Sequence, residues 1–507
     1  MTQIAVDLVD AAAASPDALR AATPPSSTAA TALVVSVAPS PQGGVASVDW
    51  ESRVHRPLRR AFTALRGLVP ELLEHPAGGR VIIAAPATGL IADAGRTADS
   101  VLARCLIGLA EGLRAELLGR DFPVSIVLTD AWDDEASLIQ RLDGALGGGA
   151  LYVLPPRISE TDVARVFDPW MRGLADTPAA LDLPPMGPMG AVYRIELERN
   201  AAGGRAASDA SSEESTDRMP RASGSDPASQ PSPALSPGRT AIVTGGASGI
   251  GLGIVTAMLE RGMNVAIADV REDHIAEALT RLAQHDARVM AVRLDVTDRA
   301  AWDEATSSIL DRFGGIDVLC LNAGIGILGT MLQSTPADWS WLMSVNLGGV
   351  TNGIEAVLPI LRAQERGGCI LATSSAGGLM VADDGAIYSS AKYGVVAVMD
   401  CLRAELAAEG IGATTLCPAG VNTNIHDHET MRPVEFGDSG VRGSDAELAE
   451  RQTHARAMLS QGADPALVGL RVLAALDVNA PVVFTDGGIA PIIRLRRDAI
   501  KTGIALS

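Results

Sequence analysis

With 507 residues, the chain is too long for a single hydrophobic core, which predicts two or three domains. Its formal net charge of −19 disfavours nucleic acid as a partner, because an acidic surface repels phosphate. No run of about 18 apolar residues is present, so no membrane-spanning segment is predicted. The N-terminus carries acids where a secretory signal carries Lys or Arg, and the five cysteines form no CxxC pair, so we expect a cytoplasmic protein.

The first folded part is predicted over residues 29–198, after a disordered N-terminus of residues 1–28. Its strands are predicted near 31–37, 80–86, 123–129 and 150–154, and its helices near 50–73, 97–118 and 133–146. Residues 199–238 are rich in Ser, Ala, Gly, Pro and Asp and keep no apolar period. Such a segment cannot bury enough apolar surface to offset its ordering entropy, so we predict a disordered linker and a second domain over residues 239–507.

A glycine-rich segment, TAIVTGGASGIGLGIVTAMLERGMNVAIADV, follows the linker. Its pattern predicts a strand, a turn, a helix and a second strand. Gly245, Gly249 and Gly251 fall at the turn, where a Cβ would keep the backbone away from a cofactor pyrophosphate on the helix N-terminus. Asp269 closes the second strand, where a carboxylate accepts from ribose hydroxyls and repels a 2′-phosphate. NAD is therefore predicted over NADP, with Arg271 as the nearby residue that favours a phosphate.

Tyr388 and Lys392 lie four residues apart in the segment YSSAK, which places both side chains on one face of a helix. A free phenol, with a pKa of about 10, is a poor base at neutral pH. A neighbouring ammonium stabilises the phenolate and brings the phenol towards its working pH. Tyr388 is therefore a candidate general acid/base.

Residues 240 to 495 resemble the short-chain dehydrogenase/reductase family, through the segments TGGASGIG, LDVTD, LNAG, VNLGG, TSSAGG, YSSAK and CPAGVNT in that order. The resemblance implies an α/β fold with a doubly wound, Rossmann-like parallel sheet. It also implies that Tyr388 is the acid/base and that Lys392 additionally binds the nicotinamide ribose. Ser375 is implied to bind the substrate oxygen, and Asn346 to hold a water of the proton relay. Hydride then moves between an alcohol carbon and the nicotinamide.

The resemblance also implies a set of cofactor contacts spread along this domain. They are Gly245, Ser248, Gly249, Ile250, Gly251, Asp269, Asp295, Val296, Asn322, Gly324, Tyr388, Lys392, Pro418, Val421 and Thr423. Two positions depart from the family pattern, since Leu321 replaces the first Asn of NNAG and Ala419 replaces the Gly of PGxVxT. No metal site is expected, because the histidines after Thr423 are irregularly spaced.

An internal repeat relates the two halves of the chain. LRAEL occurs at 113–117 and again at 402–406, and the pairs DW, GG and GL recur with the same separation of 289 positions. At this offset the four catalytic residues correspond to Pro57, Pro86, Asp99 and Ala103. The N-terminal domain is therefore predicted to be a truncated, Rossmann-like half of the family fold that binds no dinucleotide.

The retained helices of that truncated copy suggest its role. In the family, the helices after the fourth and fifth strands commonly form a four-helix bundle between two subunits. We expect the N-terminal domain to dock in the same way on the helices near 338–361 and 387–409, as an intramolecular pseudo-dimer. Self-association into a homodimer stays open.

Three functions remain open from the sequence. One is an NAD-dependent alcohol dehydrogenase or ketone reductase for an apolar substrate, because residues 424–463, the family's substrate lid, include Met431, Val434, Phe436 and Met458. A variant is an NADH-dependent 3-oxoacyl-thioester reductase. The third is a non-catalytic NAD-binding scaffold, which the retained proton-relay residues disfavour.

Overall fold

The computed structural model describes residues 2–7, 31–36, 42–75, 79–120, 122–129, 151–154, 158–175, 177, 193, 232–327, 329–381 and 384–504. Within these ranges, no helix has both the length and the apolar character needed to cross a bilayer. The described residues form two parallel sheets, one in each half of the chain.

The N-terminal half contains a five-stranded parallel sheet in sequential strand order. Its elements are β1 (Thr2–Asp7), β2 (Thr31–Ser36), α1 (Arg56–Glu74), β3 (Gly79–Pro86), α2 (Thr97–Glu116), β4 (Val124–Thr129), β5 (Tyr152–Val153) and α3 (Glu160–Ala175). The four predicted strands and the first two predicted helices are confirmed. The helix predicted near 133–146 lies outside the described residues.

The prediction of disorder over residues 1–28 is wrong at its start. Strand β1 pairs in parallel with β2 along its whole length, from Thr2 opposite Thr31 to Asp7 opposite Ser36. A short terminal segment gains its order from this ladder of backbone hydrogen bonds, which local composition does not reveal. Residues 8–30 lie outside the described residues.

The C-terminal half contains a seven-stranded parallel sheet. Its elements are β6 (Thr240–Thr244), α4 (Gly249–Glu260), β7 (Asn264–Asp269), α5 (Glu272–Arg281), β8 (Val289–Arg293), α6 (Arg299–Phe313), β9 (Val318–Leu321), α7 (Pro336–Met343), α8 (Gly349–Ala363), β10 (Gly368–Thr373), α9 (Ala386–Glu405), β11 (Ile411–Cys417), α10 (Asp445–Leu459), α11 (Pro465–Asp477), β12 (Val482–Phe484) and α12 (Ala490–Ile504). The strands lie in the order β12-β11-β10-β9-β6-β7-β8. This order reverses between β6 and β9, and such a switch point leaves a crevice at the carboxyl ends of the strands.

The linker prediction needs a shorter range. Residues 199–231 lie outside the described residues, but residues 232–238 belong to the C-terminal half. Pro233–Leu235 form a 3-10 turn, and the Leu235 side chain is fully buried in the core on the α11 face of the sheet. The Ser232 N–H also donates to Asp477 at 3.2 Å. The domain therefore begins a few residues before the predicted boundary at residue 239.

The two halves match in structure at the spacing of the sequence repeat. Helix α2 and helix α9 each have 20 residues, and their bounds differ by the same 289 positions. The 3-10 turns Ala87–Gly89 and Ala376–Gly378 are related in the same way. Strand β3 is followed by such a turn and by α2, just as β10 is followed by its turn and by α9.

The halves pack on each other through these helices, with α2 lying along α9. A Cβ on Gly112 would come within 2.5 Å of the Ala386 Cα, and a Cβ on Gly394 within 2.5 Å of the Cys105 Sγ. The helix backbones can approach this closely only because glycine occupies both positions. Beside them, Phe62 of α1 stacks on Trp339 of α7 with ring centroids 4.7 Å apart.

Candidate active site

The glycine turn after β6 has the conformation and the space that its sequence predicts. Gly245 and Gly249 have φ angles of +60° and +51°, which favour glycine. A Cβ on Gly251 would lie 2.0 Å from the Gly245 carbonyl oxygen. Ser248 is the N-cap residue of α4, and Ile250 is the second residue of that helix. The turn therefore presents open backbone at a helix N-terminus, which is the feature that binds a pyrophosphate.

A network of hydrogen bonds around Asn322 holds the turn against strand β9. Sequence reasoning missed part of this network. The Thr244 hydroxyl accepts the N–H groups of Asn322 at 2.9 Å and Ala323 at 3.1 Å. The Asn322 amide nitrogen donates back to the Thr244 carbonyl at 3.2 Å, and its oxygen accepts from the Thr373 hydroxyl at 3.1 Å. Asn322 thus joins three strands at the switch point. Thr244 was signalled only by its place directly before the glycines.

Asp269 lies at the carboxyl end of β7, beside the turn. Its carboxylate accepts the N–H groups of Ala247 and Arg271, each at 3.1 Å. The Arg271 guanidinium is paired with Asp273, with Nε 2.7 Å from a carboxylate oxygen. In this arrangement Asp269 faces the turn, and the neighbouring cation is already neutralised.

Asp295 and Val296 lie after β8, on the other side of β7. The Asp295 carboxylate accepts the N–H of Thr297 at 2.9 Å and its hydroxyl at 2.8 Å. The Val296 side chain is buried against Gly349, where a Cβ would lie within 2.7 Å of it. Both residues therefore lie where α8 begins, at the same edge of the sheet as Asp269.

Ser375 and Tyr388 meet at the carboxyl end of β10. Ser375 Oγ accepts the Gly377 N–H at 3.0 Å. Gly377 lies against the tyrosine ring, since a Cβ there would be 3.2 Å from the ring edge. Burial raises the pKa of Tyr388, and the neighbouring Ser375 hydroxyl offsets part of that rise, so the predicted shift of the phenol towards neutral pH is not present in this structure.

Lys392 follows one helical turn after Tyr388 on α9. Its Nζ donates to the Thr373 carbonyl at 3.1 Å and lies 5.7 Å from the centroid of the Tyr388 ring. Burial lowers the pKa of this ammonium to about 8. Ser374 fixes the helix locally, because its hydroxyl donates to the Lys392 carbonyl at 2.8 Å. Sequence reasoning missed Thr373 and Ser374, although both immediately precede Ser375.

Asn346 lies in a five-residue π-helical turn, Ser344–Gly348, between α7 and α8. Its fully buried amide exchanges two hydrogen bonds with the backbone of Ile325, at 2.8 and 2.9 Å. Gly324 lies between it and Lys392, since a Cβ there would be 3.1 Å from Asn346 Oδ1 and 3.3 Å from Lys392 Nζ. Single-turn π-helices frequently mark functional sites.

The remaining predicted residues lie after β11, facing the glycine turn. The Pro418 carbonyl accepts the Ala376 N–H at 2.7 Å, and the Val421 side chain is buried. Thr423 lies against Gly249, where a Cβ would be 3.1 Å from its methyl group. A cavity of about 750 Å³ lies beside this contact and is lined by Ser248, Gly249 and Thr423, but by none of the four predicted catalytic residues. The glycine turn and the residues predicted for proton transfer therefore lie at the same edge of the sheet, but they do not line one cavity.

The lid has an inner face and an outer face. Phe436 lies 6.3 Å from Trp341 between ring centroids, and Met431 packs against the same core. Val434 and Met458, which were grouped with them in the prediction, are 94% and 55% exposed. Of the predicted apolar lid residues, only Met431 and Phe436 therefore face inwards. Among the described residues, no cluster of His, Cys, Asp or Glu is arranged to hold a metal ion.

The C-terminal half of the chain is similar to known proteins. The family model described as "short chain dehydrogenase" matches residues 239–432. A C alpha-dehydrogenase of Sphingobium sp. is 32% identical over 42% of this chain and 70% of its own length, and a CLA biosynthesis dehydrogenase/reductase of Lactiplantibacillus plantarum is 28% identical over 51% and 92%. The crystal structure of a short chain dehydrogenase/reductase from Burkholderia phymatum in complex with NAD has a TM-score of 0.50 and 29% identity, covering 52% of this chain and 95% of that one. The chain belongs to the short-chain dehydrogenase family.

Proposed function

We propose that the protein catalyses reversible hydride transfer between NAD(H) and a secondary alcohol or ketone. The observation that carries the proposal is the convergence of Ser375, Tyr388 and Lys392 at one strand edge, beside a glycine turn with no room for a Cβ at Gly251. A non-catalytic dinucleotide-binding protein needs such a turn but has no use for a serine, a phenol and an ammonium brought together beside it.

Each residue of this set has a role in moving the proton. In the oxidation direction, Tyr388 Oη takes the proton of the substrate alcohol while Ser375 Oγ holds the same oxygen. Lys392 Nζ, 5.7 Å from the ring centroid, stabilises the phenolate that forms. Asn346, held by the backbone of Ile325, positions the water through which the proton passes to solvent. A nicotinamide cofactor, when bound, would supply the hydride chemistry, and these residues would move the proton in the opposite sense in the reduction direction.

We propose NAD as the preferred cofactor. The buried Asp269 carboxylate stands at the end of β7, where it would repel a 2′-phosphate and accept from ribose hydroxyls. The pairing of Arg271 with Asp273 supports this choice, because it removes the nearest guanidinium from phosphate recognition. The relative from Burkholderia phymatum was crystallised with NAD.

We further propose that the N-terminal half is a degenerate copy of the family fold that serves as an intramolecular partner. Mirrored contacts support this role. Glu116 of α2 accepts the N–H of Met331 in the catalytic half at 2.8 Å, and Glu405, at the equivalent position of α9, accepts the N–H of Val45 in the first half at 2.7 Å. The two acceptors are 289 positions apart and the two donors 286, so the contacts match approximately, as expected of two diverged copies related by a two-fold axis.

The test is an assay of the purified full chain with NADH or NADPH and a panel of ketones that includes a 3-oxoacyl thioester. Tyr388→Phe should lower kcat roughly 10²- to 10⁴-fold, because it removes the proton donor. NADH binding, followed by fluorescence, should persist in this variant, because the glycine turn is untouched. Near-normal turnover by Tyr388→Phe would contradict the assignment of the acid/base.

A further inference from the structure

A buried carboxylate joins the two halves of the chain. Glu111 of α2 is fully buried, and its oxygens accept hydrogen bonds from three tyrosine hydroxyls and one guanidinium. The donors are Tyr152, Tyr193, Tyr393 at 2.7 Å and Arg496 at 3.0 Å. The first two belong to the N-terminal half, whereas Tyr393 and Arg496 lie on α9 and α12 of the catalytic half.

The members of this cluster satisfy one another's charges and hydrogen bonds. The Arg496 guanidinium neutralises the carboxylate and lies 4.9 Å from the centroid of the Tyr393 ring. Burial raises the pKa of all three tyrosines, so their hydroxyls stay protonated and donate. Removing the charge of Glu111 would leave the arginine buried without its counter-ion, which is strongly unfavourable.

The cluster reaches the catalytic site at two points. The Tyr193 hydroxyl, besides donating to Glu111, accepts the N–H of Val381 at 3.3 Å. Val381 lies on the segment that connects Ser375 to Tyr388. Tyr393 directly follows Lys392 on α9. Glu111 therefore orients a side chain that holds the segment between the two proton-transfer residues, and another beside the catalytic lysine.

The other end of the helix pair provides a natural comparison. At the 289-residue offset, Arg104 corresponds to Tyr393 and Asp400 corresponds to Glu111. Arg104 and Asp400 also pair across the two helices, at 3.2 Å. Arg104 also donates to the carbonyls of Gly89 and Leu90 at 2.7 and 3.0 Å, in the N-terminal counterpart of the segment after Ser375. At each end of the helix pair, an interface side chain thus holds the segment that follows the strand of its own side. Only the Glu111 end has the proposed catalytic residues beside it.

We propose that Glu111, supplied by the non-catalytic half, is a positioning residue for the reaction. Through Tyr193 it fixes the segment 376–381, and through Tyr393 it fixes the part of α9 that carries Lys392. The role in the reaction rests on the proposed function. The N-terminal half would then act on the active site itself, beyond covering a helix face.

The test compares Glu111→Gln and Tyr193→Phe in the full chain with Asp400→Asn, which neutralises the equivalent carboxylate at the other end. Hydrogen exchange of the peptide covering residues 376–385 should accelerate roughly tenfold in the first two variants, because the Val381 N–H loses its oriented acceptor. Their kcat for a ketone should fall by about the same factor. The kinetic pKa of Tyr388 should rise, because its alignment with Ser375 is lost, and NADH affinity should stay within about twofold.

Asp400→Asn should leave the exchange of this segment and the pH profile of kcat unchanged, even if it lowers thermal stability. Unchanged exchange in both Glu111→Gln and Tyr193→Phe, or an equal effect of Asp400→Asn, would overturn the proposal. Accelerated exchange in a protein whose unaltered form reduces no ketone would instead leave the coupling intact and contradict the proposed function.

Discussion

Lys392 places an ammonium in a buried position where its hydrogen-bond partner is the Thr373 carbonyl rather than a carboxylate. Burial lowers its pKa from 10.5 to about 8, so the unfolded chain binds the proton more tightly than the folded one. Below pH 8 the buried charge therefore lowers the free energy of unfolding by its full amount. This destabilisation decreases as the pH rises above 8 and is absent above 10.5. The proposed reaction therefore requires an ammonium at this position, whereas the same ammonium lowers the stability of the fold.

Lys392→Met should consequently be inactive but more stable at neutral pH. The pKa difference corresponds to about 3 kcal/mol at pH 7, as an order of magnitude. The difference in Tm between the variant and the unaltered protein should shrink as the pH rises through 8 and should vanish near 10.5. Thermal unfolding of both proteins across this pH range measures it. A stability difference independent of pH would show that the lysine is not held with a lowered pKa.

Asp269 and Asp273 provide a second test at the scale of single residues. Asp269→Ala should lower kcat/KM with NADH and narrow its ratio to kcat/KM with NADPH, because the group that repels a 2′-phosphate is removed. Asp273→Asn is the matched variant, since it releases Arg271 while leaving the Asp269 carboxylate in place. It should raise activity with NADPH and change activity with NADH little. An NADPH preference in the unaltered protein would refute this account.

At the scale of elements, substitutions at two helical glycines distinguish the effect of helix–helix packing on stability from the effect of helix propensity. Gly112 on α2 meets α9, where an added Cβ would lie 2.4 Å from the Ala386 Cβ, whereas Gly67 on α1 has no atom within 4 Å of that position. Gly67→Ala should stabilise the chain by roughly 0.5–1 kcal/mol through the entropy of the unfolded state. Gly112→Ala should destabilise it by about 1–3 kcal/mol, because the helices are forced apart.

Denaturant unfolding of the two glycine variants, with thermal melts as a second measure, tests this difference in sign. Ketone reduction should also fall in Gly112→Ala, because α9 carries Tyr388 and Lys392, the proposed proton-transfer residues. Equal stabilisation by both substitutions would mean that α2 and α9 do not pack closely in solution.

The sequence predicts local features well and distant contacts poorly. The glycine turn and the spacing of Ser375, Tyr388 and Lys392 are local, so they are visible in one segment at a time. Strand β1 and the turn at Pro233–Leu235 are ordered by contacts with residues far along the chain. Glu111 shows the limit most clearly, because its four partners come from four separate segments, and no spacing rule relates them.

At the scale of the whole molecule, the proposed pseudo-dimer would place in a single chain the two-fold arrangement that two subunits would otherwise form. Glu116 and Glu405, at equivalent positions of α2 and α9, each accept a backbone N–H of the other half, as that arrangement would require. The ends of the α2–α9 pair have diverged from it, because the Glu111 cluster stands beside the catalytic residues and the simpler Arg104–Asp400 pair stands at the opposite end. A fused copy can diverge in this way, because its two ends can carry different residues. A homodimer cannot, because both ends of its helix pair carry the same residues.

A shortened chain of residues 232–507 should therefore self-associate. Removing the first half exposes the face of α7 and α9 that carries the buried rings of Trp339 and Tyr393, and a second copy can cover it through the same two-fold arrangement. Light scattering should give a dimer whose dissociation depends on concentration, with lower kcat than the full chain because Asp400 replaces Glu111 opposite Tyr393. The full chain, measured at the same concentrations, is the control and should not bury this face between molecules. A shortened chain that stays monomeric and fully active would contradict both the docking of the first half and its influence on the catalytic site.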